Sequence, residues 1–234
     1  MLTKIITRMR EHTNHCYLCQ QPGSDAVCQV CRQTIAAFGS PEEDLDFLNV
    51  QPRFSRYLPK LSHLDTLCIG PHHGVLQRLI SLLKYQYKME IANCLSQLLL
   101  TRIQRCYANL PLPEALIPVP LHPLKRGRRG FNQTELIAQH LSSSLSVPVL
   151  TRLIQKRFVG KAQAGLDGRQ RRLVSTRQYR VVQAQTLRQL NHVAILDDVI
   201  TTGTTMRRLC DRLTEVNPGI KIDLWSLSVS LPHQ

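Results

Sequence analysis

Aromatic residues are few, 5% of the 234 residues, with a single tryptophan. So thin a supply weighs against a dedicated single-strand nucleic-acid binder, which stacks successive bases on aromatic side chains. Acidic residues are also scarce, 16 Asp+Glu against 30 Lys+Arg, for a formal net charge of +14. No stretch approaches the roughly 18 continuous apolar residues of a membrane span, so membrane insertion is not expected. Residues 1–15 mix Lys4, Arg8, Arg10 and Glu11 among apolar residues. They lack the unbroken apolar region and small-residue cleavage site of a secretory leader, and a cytoplasmic location is expected. A Gly-x-x-x-x-Gly-Lys-Ser/Thr loop is missing as well. Its nearest approach, Gly160-Lys161-Ala162, has neither the hydroxyl residue nor the earlier glycine, which argues against a P-loop nucleotidase.

What is present supports a folded protein. Hydrophobic residues make up 43%, and the length suits one ordinary α/β domain with a small appendage. The positive charge is concentrated, for residues 121–180 carry 13 Lys+Arg against 2 Asp+Glu. That surplus suits a polyanion, whether a phosphate-rich small molecule or a nucleic acid, or else it is a solvated basic face.

Four of the eight cysteines, Cys16, Cys19, Cys28 and Cys31, form two Cys-x-x-Cys pairs around a turn at Pro22-Gly23 and Ser24-Asp25. In a reducing compartment this spacing lets each pair chelate one tetrahedral ion, and structural Zn²⁺ is the leading expectation. A rubredoxin-like iron site and a redox dithiol are the alternatives. With four protein ligands the site is expected to be closed and without a part in catalysis. Cys68, Cys94, Cys106 and Cys210 stand singly in apolar or amphipathic surroundings and read as interior thiols. Gly39-Ser40-Pro41 and the acidic residues of 42–46 follow the cysteine segment. They place a boundary near 40–60, with a four-cysteine, zinc-ribbon-like module over 1–50 and a main domain over 51–234.

From Gly74 the apolar residues Val75, Leu76, Leu79, Ile80, Leu82 and Leu83 recur at helical spacing and end at Lys84-Tyr85. Ile91, Cys94, Leu95, Leu98 and Leu99 predict a second helix. Residues 115–119, boxed by prolines, predict a buried strand, and Leu136, Ile137, His140 and Leu141 another helix. A basic loop around 155–172 precedes a strand at 193–196, a helix through Leu213 and a final strand in 220–229. Strands alternating with helices give an α/β class with a mainly parallel sheet flanked by helices.

The most informative segment is Val193-Ala194-Ile195-Leu196-Asp197-Asp198-Val199-Ile200-Thr201-Thr202-Gly203-Thr204-Thr205. An apolar strand ends in two carboxylates, then comes a turn of small hydroxyl residues and glycine, then a helix. In open α/β sheets ligands sit beyond the carboxyl ends of the strands. Turn N–H groups, threonine hydroxyls and a helix N-terminus together cradle a phosphate, and Gly203 permits close approach. The carboxylates repel phosphate; they suit sugar hydroxyls, or a Mg²⁺ bridging sugar and diphosphate.

This segment resembles the signature of type I phosphoribosyltransferases at all thirteen positions. The resemblance implies that Asp197 and Asp198 hold the ribose hydroxyls of phosphoribosyl pyrophosphate while Thr201, Thr202, Gly203, Thr204 and Thr205 hold its 5-phosphate, with Mg²⁺ accompanying the ligand. It narrows through Pro118-Val119-Pro120-Leu121-His122, Arg129-Gly130-Phe131-Asn132-Gln133 and Leu82-Leu83-Lys84-Tyr85, which are similar to the ComF/GntX branch of phosphoribosyltransferase-like proteins, as is the four-cysteine module. The stretch Lys125-Arg126-Gly127-Arg128-Arg129-Gly130 is expected to be a concave, mobile loop whose Arg126, Arg128 and Arg129, with His122 before it, meet diphosphate oxygens. Asn132 is expected to cap the helix that follows. Residues 161–172 resemble that branch's Gln-x-x-Leu-x-x-x-x-Arg loop, with Lys161 standing where the branch more often has Thr or Ser, and residues 156–172 form a candidate lid.

The resemblance runs nearly end to end. It implies a phosphoribosyltransferase-like fold and a link to uptake or utilisation of external DNA, with DNA-uptake proteins or single-stranded DNA among the partners. Three readings follow: a protein that binds phosphoribosyl pyrophosphate and acts in DNA uptake, an active phosphoribosyltransferase with an unassigned acceptor, and a single-stranded DNA-binding module. No nucleobase pocket is legible, though Phe54, Tyr57, Tyr85 and Tyr87 would furnish a small hood.

Overall fold

The computed structural model describes residues 15–38, 47–157 and 178–230. After the cysteine turn come α1 (Gln29–Phe38), a 3-10 turn (Leu48–Val50) and α2 (Pro52–Tyr57), with proline at its first position, where no N–H is needed. Then follow β1 (Thr66–Pro71), α3 (Gly74–Tyr85), α4 (Ile91–Cys106) and β2 (Ala115–Pro118). The next elements are α5 (Pro123–Arg129), α6 (Gln133–Leu145) and a small ribbon of β3 (Ile154–Lys156) with β4 (Tyr179–Val181). The chain continues through α7 (Ala184–Arg188), β5 (His192–Ile200), α8 (Thr204–Val216) and β6 (Lys221–Val229).

Four strands form one parallel sheet in the order β1-β6-β5-β2. Such a sheet must be covered on both faces, and the strand residues divide accordingly. Leu116, Ala194, Leu196 and Trp225 face the side chains of α3, α4 and α6. Ala115, Ile117, Val193, Ile195 and Leu224 face Met206, Leu209 and Leu213 of α8, together with Phe54, Leu58 and Leu61. The antiparallel β3–β4 ribbon joins this second layer through Ile154 and Tyr179. The α/β class with a parallel sheet between helices is therefore as expected. No helix among the described residues is long and apolar enough to cross a membrane.

Two details depart from the sequence reading. The strand at 193–196, expected to end at the two aspartates, runs on through them to Ile200, so the carboxylates lie within β5 rather than at its end. The basic stretch expected as a mobile loop is instead the helix α5. His122 caps it by accepting from the Leu124 N–H at 3.3 Å, Pro123 opens it, and Gly130 at φ 76° closes it in the left-handed conformation. These three end signals outweigh the interior Gly127.

The four-cysteine segment packs on the main layer. Val27 and Ile35 are buried in the same apolar cluster as Leu95 and Leu99 of α4. At the rim the Tyr17 hydroxyl donates to Glu90, and the Lys88 ammonium lies 5.4 Å from the centre of the Tyr17 ring.

Candidate functional site

All four strands point their carboxyl ends the same way, and Asp197, Asp198 and the threonine turn of the sequence reading lie at that edge. Along β5 successive side chains alternate between faces, so Asp197 and Asp198 diverge. Asp198 turns toward α3 and α6. Its Oδ1 lies 2.7 Å from Lys84 Nζ, and its Oδ2 accepts from the Gln133 side-chain amide. Asn132 caps α6 as expected, its Oδ1 accepting from the Thr134 N–H at 3.2 Å, and its amide donates to the Val119 carbonyl at 3.1 Å. These bonds tie the N-terminus of α6 to the end of β2 and aim Gln133 at Asp198. Behind it, Arg129 Nη1 donates to Gln133 Oε1 at 3.1 Å, and its guanidinium lies 5.2 Å from the centre of the Tyr85 ring.

Asp197 faces the other layer, within the electrostatic reach of Lys156 and of Tyr179. Burial pushes its pKa up and the adjacent Asp198 charge adds to the rise. The Asp198 N–H at 2.8 Å, Lys84 and Lys156 offset part of it, leaving the group at about 7. Burial likewise pulls Lys156 below its ordinary value.

Beyond Ile200 the chain turns through exposed Thr201 and Thr202 into α8. Gly203 sits at φ 68° immediately before the helix, and a Cβ there would stand 2.6 Å from Leu61 Cδ1. Both the conformation and the close packing call for glycine. Thr202 and Thr204 hydroxyls lie 2.9 Å apart, and Thr205 hydrogen-bonds Tyr179. The first N–H groups of α8, of which that of Thr204 reaches Thr202 Oγ1 at 3.5 Å, and the threonine hydroxyls form an arrangement suited to an anion, next to two carboxylates.

The basic residues are distributed differently from the expectation. Arg126 makes a two-pronged pair with Glu135, 3.1 and 3.2 Å, on the surface. Arg128 is exposed, its carbonyl accepting from the Tyr87 hydroxyl at 3.3 Å. Arg129 alone of the three connects to the carboxylates, through Gln133. His122 serves as the cap described above. Lys161 and most of the candidate lid lie outside the described residues. Of the expected hood, Phe54 is buried in the core, while Tyr85 and Tyr87 are exposed beside α5.

The expected Mg²⁺ does not fit the carboxylate pair. The two carboxylates face opposite sides of the sheet, and Asp198 is already neutralised by an ammonium at contact distance, whereas Mg²⁺ needs an octahedral set of oxygens at about 2.0–2.1 Å.

The cysteine cluster does fit a metal. The sulfurs of Cys16, Cys19, Cys28 and Cys31 all lie within 4.8 Å of one another, and Cys19 and Cys28 are 3.7 Å apart. A tetrahedral zinc with bonds of about 2.3 Å requires sulfur separations of about 3.8 Å. N–H groups of Leu18 and Cys28 point at Cys16 Sγ, each at 3.4 Å, in the manner of a thiolate ligand. Burial acts to raise the Cys16 pKa, but these N–H groups and that of Cys19 outweigh it and bring the thiol to about 6. Burial and the neighbouring sulfurs push Cys31 to about 12. The cluster is thus compatible with structural zinc. Cys68 and Cys94 are buried thiols, and Cys106 and Cys210 are half-buried.

No family model matches the chain. It is 32% identical to competence protein F of Haemophilus influenzae over 163 residues, 68% of this chain and 70% of that protein. It is 30% identical to the DNA utilization protein YhgH of Escherichia coli O157:H7 over 224 residues, 92% of this chain and 97% of that protein. The YhgH protein of Salmonella typhi is 29% identical over 225 residues. The chain belongs to the ComF family.

In this ComF-family chain the residues around Asp198 that sequence reasoning left out of the site are Lys84, Gln133 and His72. Lys84 and Gln133 stood in two of the motifs that carried the family resemblance, so the signal was present without a geometry. His72 follows β1, its Nδ1 is 2.9 Å from Ser228 Oγ on β6, and burial followed by the Lys84 charge lowers its pKa. Only the strand order, which sets β1 beside β6 and β6 beside β5, brings it there.

Proposed function

We propose that this ComF-family chain binds phosphoribosyl pyrophosphate at the carboxyl edge of its sheet and acts in the uptake or utilisation of external DNA. One observation carries the ligand: a left-handed Gly203 opens α8 after the turn Thr201-Thr202, which follows a strand whose last residues include Asp197 and Asp198. In this reading the turn and the N–H groups of α8 take the 5-phosphate, while Asp198 accepts from the sugar hydroxyls. Arg128 and Arg129 face the diphosphate, and Mg²⁺ enters on the diphosphate oxygens of the ligand rather than on the carboxylates. The DNA role is supported by the names of the relatives, competence protein F and DNA utilization protein. Calorimetric titration of the zinc-replete chain with phosphoribosyl pyrophosphate tests the ligand. Asp197→Asn with Asp198→Asn should lower the affinity at least about a hundredfold, ~2.7 kcal/mol, with an unchanged circular dichroism spectrum. Equal affinity in the two proteins would sink the assignment.

A second reading, direct binding of single-stranded DNA, is favoured by a cleft lined by Arg157, Arg180 and Arg212 between β4 and α8. It requires affinity that falls steeply with salt; a flat salt dependence removes it.

A further inference from the structure

We propose that Lys84 is the positioning cation of the sugar site: its ammonium stands against Asp198 where a divalent ion would otherwise sit, so that sugar hydroxyls meet a lysine-balanced carboxylate instead of a metal-bound one. The inference rests on the sugar-phosphate reading above and deepens it.

The position of the ammonium is built by the fold. Lys84 lies in the last turn of α3, where the helix carbonyls favour a cation, and Leu82 and Leu83 beside it are buried. Tyr85, the next residue, is held under Arg129. The side chains of Lys84 and Asp198 are 15% and 12% exposed, and in so dry a setting the attraction between them is weakly screened. An approaching divalent ion would be repelled by the ammonium before reaching Asp198.

The other carboxylate oxygen is equally committed. Gln133 is gripped on its carbonyl side by Arg129, so its amide end must donate to Asp198. A carboxylate offers about four lone-pair positions. Lys84 and Gln133 use two of them, which leaves two to accept from neighbouring hydroxyls of a sugar. Asp197 adds no ligand, because it faces the opposite layer and the positive charge of Lys156. Among the described residues, the only group of three or more His, Cys, Asp or Glu side chains arranged to hold a metal ion is the cysteine cluster.

Ribose 5-phosphate is the discriminating probe, since it lacks the diphosphate on which Mg²⁺ would enter. The zinc-replete full chain is titrated calorimetrically with it in resin-treated buffer, with and without millimolar Mg²⁺. The wild-type affinity should agree within about twofold between the two conditions. For Lys84→Met, metal-free binding should weaken at least about tenfold, ~1.4 kcal/mol, and recover in part with Mg²⁺, while Lys84→Arg should stay independent of the metal. Wild-type binding that requires Mg²⁺ would overturn the proposal, and so would a Lys84→Met protein weakened equally in both conditions, which is the mark of a purely structural lysine. The wild-type comparison stands even where a variant fails to fold. Should the wild type bind neither ribose 5-phosphate nor phosphoribosyl pyrophosphate, the ligand reading fails. Titration of the ligand-free chain with Mn²⁺ then decides the lysine's role: one site gained by Lys84→Met over wild type supports it, and equal binding refutes it.

Discussion

A carboxylate on a central strand meets a basic side chain at both ends of the sheet, with opposite consequences. At the carboxyl end Asp198 pairs with Lys84 at 2.7 Å, and the exposed threonines of the turn into α8 follow it in the chain. At the amino end Asp223 of β6 lies 2.6 Å from His192 Nε2 and accepts from the Tyr107 hydroxyl, which in turn accepts from Trp225 Nε1 at 3.1 Å. Asp223 is fully buried, and Phe47 packs edge-on against Tyr107 at 5.4 Å to close that end. Burial, with the Asp223 charge, drives the Tyr107 hydroxyl far above its ordinary pKa, so it stays a donor. The lengths of the two contacts are nearly equal, and so a short carboxylate contact by itself does not mark a site. In the proposed reading what marks the carboxyl end is the left-handed turn and the helix N-terminus that follow β5.

The sharpest way to break the comparison is Asp223→Ala. It strands His192 and Tyr107 in a sealed interior, and a loss of about 3–5 kcal/mol in denaturant-measured stability is expected. Sugar-phosphate affinity of the folded protein should be unchanged; a large drop in affinity would mean that the two ends are coupled.

Next in size is the pH dependence contributed by Asp197. Its native pKa of about 7 lies above the ordinary carboxylate value, so the native state holds a proton that the unfolded chain releases. Stability from this group is complete below about pH 4 and is lost as the pH rises toward 7. Asp197→Asn should flatten the decline in melting temperature across that window, and an unaltered slope would show that Asp197 is ionised throughout.

The smallest effect belongs to Lys221→Ala. Lys221 sits at the amino end, 3.1 Å from Asp65 and 3.8 Å from Asp223, but its side chain is half exposed. A change of about 0–1 kcal/mol is expected. A value near that of Asp223→Ala would show that the amino-end network depends on charge from the surface.

Much of this was legible before the structure. Helix α3 begins at Gly74 and ends at Tyr85, where the leucine spacing placed it, and β2 and β6 fall within a residue or so of their apolar runs. Strand β1 was not anticipated, because Thr66-Leu67-Cys68-Ile69 is short and ends in Gly70-Pro71, a sequence that reads as a turn. The ribbon of β3 and β4 has three residues on each side, too few to show a period. In the site, residue types and chain order were readable, whereas direction was not. Two adjacent aspartates look like one chelating pair until β5 is seen to run through them, and Lys84 looks like a helix end until α3 is set against Asp198.

The strand order also bears on how the protein comes to be folded. Strand β1 has its sheet partner in β6, with Thr66 opposite Leu224, and everything between them in sequence must already exist when they pair. During synthesis β1 emerges early and waits with an unpaired edge, while β5 and β2 can meet sooner. Occupants of that edge before β6 arrives, such as a chaperone or another nascent chain, compete directly with the native sheet. Yield from the ribosome should therefore depend more on β6 than its nine residues suggest.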